Sequence, residues 1–457
     1  MSEHRRMLRV GPLLVVLALA AVAVAAACSS TGGSTSPRTL AVPSEFGTVQ
    51  DAVDAAAPGD LVLLAPGIYR ESVLVVTPSV TIRGVDRNAV VLDGRGGLAA
   101  GVRVRDAGGV VVENLTVRNY AESGLAWANA AGFRASYVTA YDNRKHGIDV
   151  FDSVDGEIEQ VWTSGSADAG VLVAQCDPCR IVVDGLTTVD NGTGVLAVNA
   201  GRDLQVVRST VRSNRIGIAL HSTGFSLCSP QQGATVAGND IGPNDRRDLP
   251  VGEIGIVADN SGIAVVGGRD NAVLANRIMG QPAFGVVVAP YPELEAAAPL
   301  PDEAEVAEPC RTRAFIPSSG RIVVTVWPAM GNRVEDNVLV GSGVADLAIA
   351  SFGQDPSGAG NCVSGNEAAV TRPADLQALA PCDAPPSVGD WNRDPLVVPD
   401  LDRDARDELL EVDEDVEPRR GPVPPPQSQL PDAAGSPARP ALGSPELVDV
   451  TALAVPG

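Results

Sequence analysis

At 457 residues, with 45% hydrophobic but only 4% aromatic content, the chain can bury a large core but must build it from small side chains. A formal charge of −22 argues against a nucleic-acid interface, which needs lysine and arginine massed on one surface. The 48 glycines and the many valines favour stacked strands over a helical bundle.

Arg5, Arg6 and Arg9 precede an apolar stretch over residues 11–27, and Cys28 follows Ala25, Ala26 and Ala27. A charged start, an apolar middle and small residues before a cut mark a secretory signal, here residues 1–27. The cysteine directly after the small residues resembles a bacterial lipobox, with Ala25 where that motif usually has leucine. The resemblance implies that Cys28 is lipidated, that residues 28–39 tether the protein to the cell membrane, and that the mature chain is extracytoplasmic. Beyond Cys28 no apolar run reaches the roughly 18 residues needed to cross a bilayer. Six cysteines remain, and an even number outside the cytoplasm favours disulfides. The favoured pairing among the many open ones is Cys176–Cys179, Cys228–Cys310 and Cys362–Cys382.

Residues 48–57 read as a short amphipathic helix ended by Pro58 and Gly59, placed to cap an open core. A repeat follows. Gly–apolar–x–apolar recurs at Gly101, Gly124, Gly147, Gly170, Gly194 and Gly217, at intervals of 23, 23, 23, 24 and 23 residues. One residue after each glycine stand Val102, Leu125, Ile148, Val171, Val195 and Ile218; three after it stand Val104, Trp127, Val150, Val173, Ala197 and Leu220. Alternation at period two is a strand with both columns pointing inward. Five after each glycine come Asp106, Asn129, Asp152, Gln175, Asn199 and Ser222, small polar residues suited to a turn.

One strand per 23 residues in constant register means that each coil stacks on the last. Later coils are expected at Gly255 and Gly285, with the one at Asp346 the last, and with insertions near residues 223–252 and 290–320. That makes about ten coils. With the segment Pro58-Gly59-Asp60 and Pro66-Gly67-Ile68-Tyr69, the chain resembles the pectin-lyase-like superfamily. The resemblance implies an all-β, right-handed parallel β-helix over residues 40–382. Residues 383–457 hold 14 prolines and 16 acidic residues against 6 basic ones, and read as a disordered acidic tail.

Chemistry concentrates on the outward face of the early coils. His146 directly precedes a repeat glycine, and Asp149 and Arg103 share an outward column. Arg105, Arg144, Lys145 and the hydroxyl of Tyr120 lie nearby in the pattern. Enzymes acting on uronic-acid polymers need a cation for the substrate carboxylate, a base for the C5 proton and a tyrosine opposite. The segment 143–150 resembles the "N..HG..V" stretch of mannuronan C5-epimerase-like β-helices. That implies substrate contact by Arg144, His146 or Lys145, with His146 and Asp149 as candidate catalytic groups and Arg103, Arg105 and Tyr120 as binding groups. The family's acidic "DPHE" motif has no counterpart where Val102, Arg103 and Val104 stand.

A structural reading stands beside this: Glu122, Lys145 and Asp168 form an alternating charge ladder across successive coils. The later outward columns (Leu172, Leu196, Ala219) are apolar and need a cover, which the two insertions joined by Cys228–Cys310 would supply. Cys176-Asp-Pro-Cys179 reads as a turn closed by a disulfide. No metal set is complete; Asp86, Asp93 and the Asx column offer acidic groups to Ca²⁺, but no spaced acidic loop of recognised form appears.

The function expected is a monomeric surface lipoprotein binding, and in one version modifying by lyase or epimerase-like chemistry, an acidic polysaccharide or cell-wall glycan. The rivals are an accessory β-helix resembling the copper-handling maturation proteins of nitrous-oxide reductase, and a purely structural or adhesive solenoid. Three histidines and four methionines with no clustering are poor material for copper.

Overall fold

A computed structural model describes residues 36–224, 227–249, 252, 254–293, 301–313, 324–352, 356–385, 389–398, 421, 423–439 and 443–457. The expected signal segment, Cys28 and most of the tether lie outside the described residues. The rest belongs to one unit beginning at Pro37.

The strands form two long sheets, one of 21 strands and one of 12. Neighbouring strands are parallel and in the register that the repeat dictates: Leu125 pairs with Ile148, Ile148 with Val171, Val171 with Val195 and Val195 with Ile218. Both inward columns are buried from end to end, including Trp127. No coil can bury its apolar face alone, so stacking supplies both the core and the backbone pairing.

The repeat glycine is required by close approach of the next coil. A Cβ on Gly147 would sit 2.6 Å from the carbonyl oxygen of Gly170, and one on Gly124 2.7 Å from that of Gly147. The polar column serves a different need. Asp106, Asn129, Asp152, Gln175 and Asn199 all have φ between 46° and 65°, the left-handed turn that Asx side chains tolerate best.

Buried asparagines tie the later coils together. The Oδ1 of Asn276 accepts the backbone N–H of Asn239, that of Asn337 accepts Asn276, and that of Asn366 accepts Asn337. Each amide thus satisfies a buried turn that has no sheet partner.

Both ends of the core are capped. At the start, helix α1 (Val49–Ala55) is N-capped by Thr48 and buries Val49, Ala52 and Val53. The expected helix is therefore present, two residues shorter at its end. Within the later insertions lie α2 (Gly255–Ala258) and α3 (Glu303–Ala307). At the far end α4 (Leu376–Leu379) buries Leu376 and Leu379, and Gln377 Oε1 closes the asparagine ladder by accepting the N–H of Asn366. Disulfides join Cys176–Cys179, Cys228–Cys310 and Cys362–Cys382.

Three expectations need correction. Gly255 does not begin a coil: Gly255–Ala258 is α2, and the strand stacked on Ile218 is Ile263–Val266. Gly262 is the true repeat glycine, because a Cβ on Gly217 would meet its carbonyl; Gly285 then follows 23 residues on. The Asp346 coil is not the last, since Thr371 and Arg372 pair with Leu347 and Ala348 in a further partial coil.

The third correction concerns the end of the chain. Residues 423–439 and 443–457 are not a free tail. They run along the 21-stranded sheet, where Leu430 and Ala433 are buried and Arg83, Arg87 and Arg180 bond to the segment. A proline-rich chain cannot build its own core, but its carbonyls suit arginine donors already displayed on a preformed sheet.

Candidate binding face

The outward side of the 12-stranded sheet changes character along the solenoid. Its first column reads Leu74, Arg103, Ala126, Asp149, Leu172, Leu196, Ala219 and Ala264, coil by coil. From Leu196 onward the column is roofed. Ile254, Val257 and Ala258 around α2, together with Tyr291, Trp327 and Val398, pack on Leu196, Ala219, Ala264 and Val287. The cover expected from the insertions is present. The ring of His221 meets Tyr291 edge-on at 4.5 Å within this roof.

The second insertion is held by Asp177, one of the two residues between the paired Cys176 and Cys179. Its buried carboxylate accepts from Arg202, Arg313 and Gln232, and its carbonyl accepts the N–H of Cys310. Arg311 continues from there across the edge of the open face, bonding Asp152 and Asn129. Nothing in the repeat marks Arg311, because it enters from an insertion.

On the unroofed coils His146 lies in the column Ala100–Ser123–His146–Ala169. It is buried, and both ring nitrogens face carboxylates: Nε2 stands 2.8 Å from Asp168 Oδ2 and Nδ1 3.4 Å from Asp149 Oδ2. Burial alone would push the imidazole down; hydrogen bonds and charge from Asp149 and Asp168 outweigh it and raise the pKa to about 9. At neutral pH His146 is an imidazolium.

A ring that holds both protons has no lone pair to take another, so in this resting arrangement His146 is an acid rather than a base. This also disposes of a tempting triad. Ser123 Oγ lies 3.4 Å from His146 Nδ1, but it is buried, also donates to Asp149 Oδ2 at 3.3 Å, and faces a charged ring. Ser123 was missed in the sequence, though its position before Gly124 matches that of His146 before Gly147. Asp149 keeps one buried oxygen, Oδ1, without a hydrogen-bond partner.

Tyr120 must be removed from the binding set. It is a core residue, 1% exposed, whose hydroxyl donates to the Glu71 carbonyl at 2.7 Å; burial drives its ionisation far above the usual range. Tyr141 is likewise committed, accepting from Arg118 at 2.7 Å. Tyr120, whose proton is already donated inside the core, is not available as the opposite-face acid.

The expected Glu122–Lys145–Asp168 ladder is also rearranged. Glu122 pairs with Arg103 at 2.5 Å and Asp168 with His146. Arg105, Arg144 and Lys145 are exposed, and among the described residues Arg105 and Lys145 have no ion-pair partner. Phe151, half exposed, stands beside them in the second outward column with Arg105 and Ala128.

Among the described residues no group of three or more His, Cys, Asp or Glu is placed to hold a metal ion. Asp86 Oδ1 caps the turn N–H groups of Asn88 and Ala89, and Asp93 is bound by Arg118 and Asn119.

Residues 79–216 match the family profile described as a right handed beta helix region. The fold is a right-handed parallel β-helix. Similar solved structures include the A-module of mannuronan C-5 epimerase AlgE4 from Azotobacter vinelandii, at 18% identity and TM-score 0.44, covering 70% of this chain and 90% of that one. An alginate lyase from a Paenibacillus species has 16% identity and TM-score 0.39, covering 55% and 90%. The pectate lyase Pel9A has 12% identity and TM-score 0.42, covering 77% and 83%. No curated protein matches the sequence.

Proposed function

We propose that the protein binds an acidic polysaccharide outside the cytoplasm, along the open face of its early coils, and does not turn it over. The observation that carries this reading is the contrast along one sheet. Where the roof covers the first outward column it is apolar; on the open coils Arg103 and Asp149 interrupt that column, and Arg105 and the turn residues Arg144 and Lys145 stand exposed beside a charged His146. Arg103 and Lys145 belong to coils two apart, about 10 Å along the axis, so the cations line a track rather than a single pocket. A track of spaced cations with an aromatic edge at Phe151 suits a repeating anionic chain.

Support for binding without chemistry comes from the two carboxylates that favour a charged His146 and from the burial of Tyr120. A lyase or epimerase needs a free base on one side of C5 and a proton donor on the other. Three disulfides support an oxidising compartment, and a lipid on Cys28 would hold the chain at a membrane surface.

The test pairs retention with turnover. Alginate and polygalacturonate are incubated with the mature protein, and binding is followed by affinity electrophoresis while unsaturated uronates are followed by ultraviolet absorbance. Retention without product is expected. Product formation would restore a catalytic reading, and failure to retain either polymer would remove the polysaccharide.

A further inference from the structure

The 21-stranded sheet carries a second feature that the polysaccharide reading does not use. Its outward face over the early coils is occupied by the chain's own C-terminal segment. We propose that this face is a recognition groove for an extended, proline-rich peptide bearing one arginine, and that residues 423–439 and 443–457 are its replaceable occupant.

The contacts are those of peptide recognition, with groove side chains reading a backbone. Arg83 donates to the carbonyls of Ser436 at 2.6 Å and Pro437 at 2.9 Å, and Arg87 to that of Ser428 at 3.0 Å. Asn114 Oδ1 accepts the N–H of Leu430 at 2.8 Å. Gln205 both accepts the N–H of Val448 and donates to its carbonyl. None of the described residues of the segment joins a strand ladder, and the last cysteine of the chain is Cys382. The segment is thus held neither by sheet pairing nor covalently beyond its own chain.

Register is set by one residue. Arg439 is the only cation after Arg420, and it enters between Glu113, at 2.8 Å, and Glu159, at 3.6 Å. Glu113 already faces Arg83 at 2.6 Å, and all three of its side-chain partners, Arg83, Ser136 and Arg439, converge on a carboxylate with no exposed surface. Arg87 is buried with no carboxylate among the described residues; only Thr139 and the carbonyls of Val138 and Ser428 receive its donors. A chain rich in carbonyls and poor in N–H groups answers that demand, and prolines at 424, 425, 426, 431 and 437 supply it in an already extended form.

The tether keeps the resident segment at an effective concentration near millimolar, so binding from outside is suppressed in the intact protein. The experiment uses the full chain and a labelled synthetic peptide of residues 421–457, read by fluorescence anisotropy. Arg439→Ala in the full chain loosens the resident segment, and capture of the wild-type peptide should then rise by about tenfold or more. Adding Glu113→Gln should abolish the gain, and a peptide carrying Arg439→Ala should be taken no better than a scrambled one. If Arg439→Ala disturbs the cooperative melt, Leu430→Asp loosens the segment at its other end. Capture no stronger than in the wild type, or equal capture of the scrambled peptide, would show that the segment is a fixed wall of the fold.

Discussion

His146 and Asp168, 22 residues apart in sequence, meet across adjacent coils with Nε2 and Oδ2 separated by 2.8 Å. With Asp149 at the other ring nitrogen, this contact favours the charged imidazolium.

The first prediction concerns pH. The folded pKa of His146, about 9, lies above its ordinary 6.5, so its contribution to stability is complete below about pH 6.5 and disappears as pH rises through 9. Because Asp168 is half exposed, the contribution is on the order of 2 kcal/mol. Thermal melts of wild type and His146→Ala should differ most near pH 6 and converge near pH 10. An imidazole titrating near 6.5 by NMR would contradict the assignment.

A second prediction concerns the buried pair Arg83–Glu113, both side chains of which have no exposed surface. Glu113→Ala leaves Arg83 buried without its carboxylate and releases Arg439. Denaturant unfolding should show a loss of about 3–5 kcal/mol. Double substitution of Arg83 and Glu113 by apolar residues should cost less than the single change.

The repeat glycines give a third. In Gly147→Ala the new methyl would lie against the Gly170 carbonyl and Thr163, and both coils must move apart. A loss of about 1–3 kcal/mol is expected. The same change at Gly255, which lies in helix α2 and not at the close approach of two coils, should cost less.

Asp177 supplies a fourth. Asp177→Ala removes the common acceptor of Arg202, Arg313 and Gln232, and burial already pushes the Arg313 guanidinium below its usual value. The second insertion should loosen while the solenoid stays folded. Hydrogen exchange should accelerate in residues 301–313 and not in the strand Gly147 begins.

The core was legible in the sequence because stacking repeats one local solution, so Val102, Leu125, Ile148 and their successors report the same environment six times. Gly255 misled for the same reason: Gly255-Ile-Val-Ala matches the pattern, and only the pairing of Ile218 with Ile263 separates a coil from a turn of helix. The favoured disulfide pairing is the one formed, although the sequence left it open; for Cys228–Cys310 alone there was a reason, the need of the insertions to fold onto the apolar outward column. Arg311 and the C-terminal segment were not, because each contacts residues more than 150 positions away with no periodicity to expose it. The pairing of His146 was not legible, since Asp168 was assigned to a ladder with Lys145 instead of to the imidazole.

The most direct measurement is the affinity of wild type and Arg105→Glu/Lys145→Glu for polygalacturonate and alginate at one low ionic strength. Both substituted residues are exposed and lack ion-pair partners among the described residues, so the fold should survive. The open-face account predicts saturable binding by the wild type, weakening with salt, and a loss of about tenfold or more in the variant. Equal affinity in the two proteins would contradict it.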